Sequence, residues 1–184
     1  MISLISILNE ILVKRKIPFN TSGTAHIIYQ SRTNPDRLYK IGNRRIVETW
    51  YKIFKENPKY FPKVYRAGKI TQEDEDKYYV EIEKLNTKRS IDEWILIEQT
   101  LEEIGHMDID NRDSIDGLFN SIIPDKLKSD LKRHNIKVYN LFIKWISFLN
   151  EVEHIVQKNG KLTLDTHRYN FGYDSEGNMK CLDI

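Results

Sequence analysis

The sequence predicts an α+β fold in two lobes, a five-stranded antiparallel lobe followed by a reduced, mostly helical one. Three observations carry this prediction. Short segments rich in β-branched and aromatic residues, separated by turn formers, fill the first lobe, 1–85. From Ser90 onward apolar residues recur at spacings of three and four, and these place the second lobe at 86–184. Hydrophobic residues make up 40% of the chain and aromatics 11%, enough to build a core and too many for a chain disordered by composition.

The elements follow in order. "MISLISILNEILVKRK" carries its charges after its apolar part, the reverse of a secretory signal, and reads as an amphipathic helix capping a lobe. "KIPFN", "AHIIYQS" and "RLYKIG" read as three strands. "TNPD" lies between the second and third, where Pro35 fixes φ and Asn34 and Asp36 bond locally. Asn43 caps a helix, "RRIVETWYKIFKEN", which Pro58 and Pro62 bring to an end. "KVYRAGKI" and "KYYVEIEKL" complete the five strands, joined by the charged loop "TQEDED".

In the second lobe, "SIDEWILIEQTLEEIG" begins at Ser90 as N-cap and stops at Gly105. "NRDSIDGLFNSIIPDKL" reads as short helix and loop. "VYNLFIKWISFLNEVEHIVQKNG" is the clearest helix, with Val138, Leu141, Phe142, Trp145, Phe148, Leu149, Val152, Ile155 and Val156 recurring at spacings of three and four and Gly160 at its C-terminal end. It is the expected spine of that lobe. "YNFGYD" and "NMKCLDI" then form a hairpin closed by "SEGN".

Net charge is +2, but unevenly spread: residues 1–70 hold 14 Lys/Arg against 4 Asp/Glu, and residues 71–184 hold 15 against 23. Two oppositely charged lobes account for this. A polyanion-binding face on residues 1–70 is the competing reading, and the acidic remainder argues against nucleic acid. Cys181 stands alone, so no intrachain disulfide forms; a small buried side chain in a reducing, cytoplasmic setting fits. No apolar run reaches the roughly 18–20 residues needed to cross a bilayer, so no membrane role is expected. "DIDNRDSIDG" imitates a calcium loop, but Arg112 and Asp113 stand where a ligand and the required Gly should be. The three tryptophans, Trp50, Trp94 and Trp145, fall on helical patterns as core residues.

Chemistry concentrates in the closing stretch, "LTLDTHRYNFGYDSEGNMKCLDI". Asp165 and Asn170 are five apart, and Asp183 follows after a hairpin that returns the chain toward Asn170. A loop Asp, a loop Asn and a returning Asp suit phosphoryl transfer, which needs a carboxylate for the attacking hydroxyl and hard oxygens for Mg²⁺.

"DTHRYN" resembles the D-x-x-x-x-N catalytic loop of protein kinases, and Asp183 stands where the metal-binding Asp of their D-F-G would be. The D-x-H-x-x-N form is similar to the small serine/threonine protein kinases of bacteriophages, which take over host functions. "SGTAHIIY" is placed like the glycine-rich loop, "RLYKIG" like the strand bearing the phosphate-contacting Lys, "RRIVETWYKIF" like the C helix and "YYVEIEKLNT" like the strand leading to the hinge. The resemblance implies ATP and Mg²⁺ as cofactors and a host or partner protein as substrate, in the host bacterial cytoplasm. It implies that Asp165 orients or deprotonates the acceptor, Asn170 and Asp183 hold Mg²⁺, and Lys40 contacts the phosphates with Glu48 as its ion-pair partner. Ser22, Gly23 and Thr24 would cover the phosphates, and Glu83 to Leu85 would border the adenine. His167 is placed to contact a phosphate or the acceptor; bonding to backbone carbonyls is its plainer role. The sequence ends at Ile184 without Phe-Gly or an activation segment, and a catalytically inactive, protein-binding relative is therefore the alternative expectation.

Overall fold

The computed structural model describes residues 27–31, 34–71, 76–106, 123–160, 164 and 166–184. The fold is α+β, and the chain divides into two compact units. One runs up to Leu85 and includes Asp174–Lys180; the other comprises Asn86–Tyr173 and Cys181–Ile184. The expected strand "KIPFN" and the loop residues Ser22, Gly23 and Thr24 lie outside the described residues, so four of the five expected strands are seen.

The first unit is built on an antiparallel sheet of β1 (Ile27–Gln30), β2 (Arg37–Gly42), β3 (Val64–Thr71) and β4 (Asp76–Glu83), in the order β1-β2-β4-β3. The central position of β2 puts Lys40 opposite Ile28 on one side and Val80 on the other. The β1–β2 turn forms as its residues demand: Asn34 Oδ1 accepts the Asp36 N–H (3.3 Å), and the Arg37 N–H reaches the Asn34 carbonyl (3.1 Å). Helix α1 (Arg44–Glu56) starts where Asn43 Oδ1 accepts the Ile46 N–H at 3.0 Å. It buries Val47, Trp50, Ile53 and Phe54, and Phe61 stacks on Phe54 with ring centroids 5.1 Å apart. Each such fully buried side chain contributes about 1.5–3 kcal/mol.

The second unit contains α2 (Thr87–Glu103), α3 (Asp125–His134), α4 (Ile136–Lys158), a 3-10 turn at Arg168–Asn170 and β5 (Phe171–Tyr173). The expected N-cap at Ser90 is corrected. Asn86 takes that role, accepting from the Arg89 N–H, because "LNTKR" places an Asx cap four residues earlier, ahead of residues that tolerate a first turn. Ser90 lies instead on the buried stripe of α2, and its hydroxyl turns to the carbonyls of Thr87 (2.8 Å) and Phe171 (2.7 Å). Asn135 caps α4, and Gly160 follows the C-cap residue Asn159 with φ +140°, a conformation that favours glycine. Trp94 and Trp145 meet edge to face at 5.0 Å, and Phe171 packs against both.

β5 and β6 (Met179–Cys181) form the expected two-stranded sheet. Its turn is set by Asp174, whose Oδ1 accepts from the N–H groups of Glu176 (3.0 Å) and Asn178 (2.8 Å), while Gly177 adopts φ +84°. Among the described residues no helix is long and apolar enough to cross a membrane.

Candidate functional site

Lys40 is fully buried on β2. Its ammonium lies 4.0 Å from the centroid of the Trp50 ring and 5.8 Å from that of Phe54, both on α1. Period-two alternation puts Leu38 and Lys40 on one face of the strand and Arg37 and Tyr39 on the other, so the Lys40 face is the one that α1 covers. A buried lysine keeps its charge only where the surroundings replace water, and the indole face supplies part of that.

Glu48 does not take the place expected of it. Its carboxylate bonds the Arg44 Nε at 2.7 Å, with its side chain 61% exposed, whereas Lys40 has no exposed surface. The reason is helical geometry: Glu48 sits one turn beyond Arg44 on the solvent face of α1, where an i,i+4 pair forms at little cost. The Lys40–Glu48 pairing is thereby corrected.

At the end of β4 the backbone is mostly committed. The Glu83 N–H donates to the Lys63 carbonyl (3.0 Å), that of Lys84 to Asp36 (2.8 Å) and that of Asn86 to Tyr173 (2.8 Å). Among the described residues the N–H of Leu85 carries no such bond, and the Leu85 side chain is buried. Burial pushes the pKa of the Glu83 carboxyl above the ordinary value, Asp174 adds to that, and the Lys63 N–H and the Lys180 ammonium oppose it. Its Oε1 is buried without a hydrogen-bond partner among the described residues.

In the second unit the closing segment returns as expected. The Leu182 N–H donates to the Asn170 carbonyl at 2.6 Å, which puts Asp183 one residue from that contact. Asn170 is 3% exposed, and its own N–H is held by the His167 carbonyl at 2.8 Å. Asp183 Oδ1 accepts from the Ile184 N–H (3.0 Å), and its carbonyl accepts the Cys181 thiol (2.9 Å). The His167 ring packs on Tyr169 with centroids 5.0 Å apart, and Arg168 reaches Glu98 at 3.4 Å. Asp165 lies outside the described residues.

Residues not singled out from the sequence hold this segment in place. Glu93 on α2 accepts from the Tyr173 hydroxyl (2.5 Å), Trp145 Nε1 (3.3 Å) and Arg89 Nε (3.1 Å). The Arg89 guanidinium also lies 4.0 Å from the Tyr173 ring centroid. Burial and the Glu93 bond push the Tyr173 phenol well above its usual pKa, so it stays a donor. One signal was present in the sequence: Ser90, Trp94, Ile97 and Leu101 form an apolar-spaced stripe that opens with a hydroxyl, and a polar group on such a stripe needs a buried partner.

The donor set at the closing segment is one amide oxygen and one carboxylate. Mg²⁺ takes hard oxygens, is commonly bound through one or two carboxylates and keeps several waters, so this set fits it. Among the described residues no three His, Cys, Asp or Glu side chains gather as a larger cation cage. Chemically, an ammonium on a strand can neutralise an oxyanion, and an amide oxygen and a carboxylate are ligand types that a divalent cation accepts. No protein-family model matches the chain, and neither does any curated protein or solved structure.

Proposed function

We propose that the chain is an ATP- and Mg²⁺-dependent phosphotransferase, a minimal protein-kinase-like enzyme acting on Ser/Thr of a host or partner protein. The observation that carries this reading is the 2.6 Å hydrogen bond from Leu182 to Asn170, which ties the backbone beside Asp183 to that of Asn170. Two features of the first unit support it. Lys40 stands on a central strand, where the resemblance puts the phosphate-contacting lysine, and among the described residues the Leu85 N–H makes no backbone hydrogen bond.

Bound Mg²⁺ would screen the charge of the transferred phosphoryl group. The chain's own residues do the rest. Lys40 holds the phosphates, Asn170 and Asp183 present the metal-binding oxygens, and Asp165 orients the acceptor hydroxyl and takes its proton. His167, on the same loop, positions the acceptor or a phosphate. Because positioning and charge stabilisation supply nearly all of the catalysis, Asp165→Ala and Asp183→Ala each lower transfer from labelled ATP by roughly a thousandfold. Transfer at the unaltered rate in Asp183→Ala sinks the assignment.

A second reading, an inactive module that binds a protein partner, is favoured by one observation. Glu48 is engaged with Arg44, whereas active kinases pair this glutamate with the lysine. Nucleotide-dependent thermal stabilisation with no transfer to any added protein, or to the chain itself, identifies that case.

A further inference from the structure

The face of the sheet opposite Lys40 carries a second polar site. Arg37 on β2, Glu81 on β4 and Arg66 on β3 form a row across three neighbouring strands, with Glu81 in register with both Tyr39 and Arg66. Glu81 is 1% exposed, and each of its oxygens is taken by one guanidinium: Oε1 by Arg37 at 2.9 Å and Oε2 by Arg66. Arg66 also donates to the Tyr39 hydroxyl at 3.0 Å. The row borders a cavity of about 490 Å³, within the size range of small-molecule sites.

Three features separate this row from a simple strand-bridging ion pair. First, two guanidiniums converge on the one Glu81 carboxylate, and both line the cavity. Second, the guanidiniums are oriented in advance. The buried carboxylate fixes one edge of each, and the Tyr65 ring lies under Arg37, 4.1 Å from its Cζ. Among the described residues, the Arg37 guanidinium makes a hydrogen bond to Glu81 alone, and its side chain is 34% exposed. Third, β3 breaks its register between Val64 and Arg66. Such a bulge gives up regular pairing and re-aims side chains, and here it lets consecutive residues, Tyr65 and Arg66, line one pocket.

We propose that this pocket is an oxyanion site that binds a phosphate group, either inorganic phosphate or a phosphate monoester on a small molecule. A guanidinium fork matches phosphate oxygens two at a time, and the partly exposed Arg37 guanidinium keeps donors beyond its bond to Glu81 among the described residues. The cavity exceeds the size of phosphate alone, which leaves room for an attached organic group. The site is independent of the phosphotransferase reading, because its side chains point away from the Lys40 face.

The test titrates the full chain at low salt with inorganic phosphate, with O-phosphoserine and with serine, following backbone amide shifts. Saturable shifts at Ser31, Arg37 and Arg66 with both phosphates, and none with serine, are expected. Tighter binding of O-phosphoserine identifies a monoester as the ligand; equal binding identifies the free ion. Arg37→Gln weakens binding at least about tenfold through loss of a charge-assisted bond, while Arg44→Gln on α1 leaves it unchanged. No saturable shift at those three residues in the unaltered chain overturns the proposal. So does binding that Arg37→Gln leaves intact, or that Arg44→Gln lowers as much. Should Arg37→Gln lose its folded far-UV spectrum, the shift map of the unaltered chain decides.

Discussion

Glu81 and Glu83 stand two residues apart on β4 and meet opposite surroundings. Glu81 is buried with a guanidinium on each oxygen. Glu83 is partly buried, leaves Oε1 without a partner among the described residues, and has its pKa raised by burial. The same side chain on the same strand is in one case held by two guanidiniums and in the other left with an oxygen unpartnered among the described residues. Burial therefore does not decide the sign of a carboxylate's contribution; the supply of donors around it does.

The largest expected effect breaks the well-supplied side. Glu81→Ala leaves two guanidiniums facing each other and costs about 2–3 kcal/mol, below the full figure for a buried pair because both arginines reach solvent. Urea unfolding measures it, and a cost near zero would show that Glu81 organises nothing.

Asp174 is the next lever, since it lies beside both Glu83 and Lys180. Burial works against its charge, but the side chain and backbone of Asn178 and the Lys180 ammonium outweigh burial and hold its pKa below the ordinary 3.8. Its stability contribution is thus complete above that ordinary value and is lost as pH falls through the folded one. Asp174→Asn costs about 1–2 kcal/mol at neutral pH, and the gap to the unaltered chain closes in acid. A gap that persists there contradicts the assignment.

Glu83→Gln goes the other way. The folded state binds the Glu83 proton more tightly than the unfolded state, so stability falls as pH rises from the ordinary value of 4.5 through the folded one. Removing the charge therefore stabilises the folded state at neutral pH, by less than the Glu81→Ala cost. A lower melting temperature for the variant at pH 7 would undo the contrast with Glu81. The smallest effect belongs to the exposed pair: Glu48→Ala moves stability by less than about 0.5 kcal/mol.

Local chemistry made much of the fold legible. Asn34, Asn43 and the "TNPD" turn do what their side chains dictate, and four strands and the spine helix fall where alternation and the three-four spacing put them. Long-range partners were less legible. The start of α2 was misread because two cap-forming residues, Asn86 and Ser90, compete within one turn, and only the buried carbonyl of Phe171 decides between them. Glu48 was misassigned because its distance from Lys40 along the chain says nothing of the face of α1 it occupies. At the closing segment, the return of Asp183 toward Asn170 followed from hairpin logic, whereas the clasp by Glu93 and Tyr173 joins residues 80 positions apart.

The stacking of the Lys40 ammonium on Trp50 gives the protein a built-in optical gauge. A cation against an indole face perturbs its excited state, so any molecule that draws the ammonium away changes the emission of that tryptophan. Trp94 and Trp145 supply a constant background, and a Trp50→Phe variant subtracts it. On the proposed reading, nucleotide arriving at Lys40 is expected to register in that emission without a label.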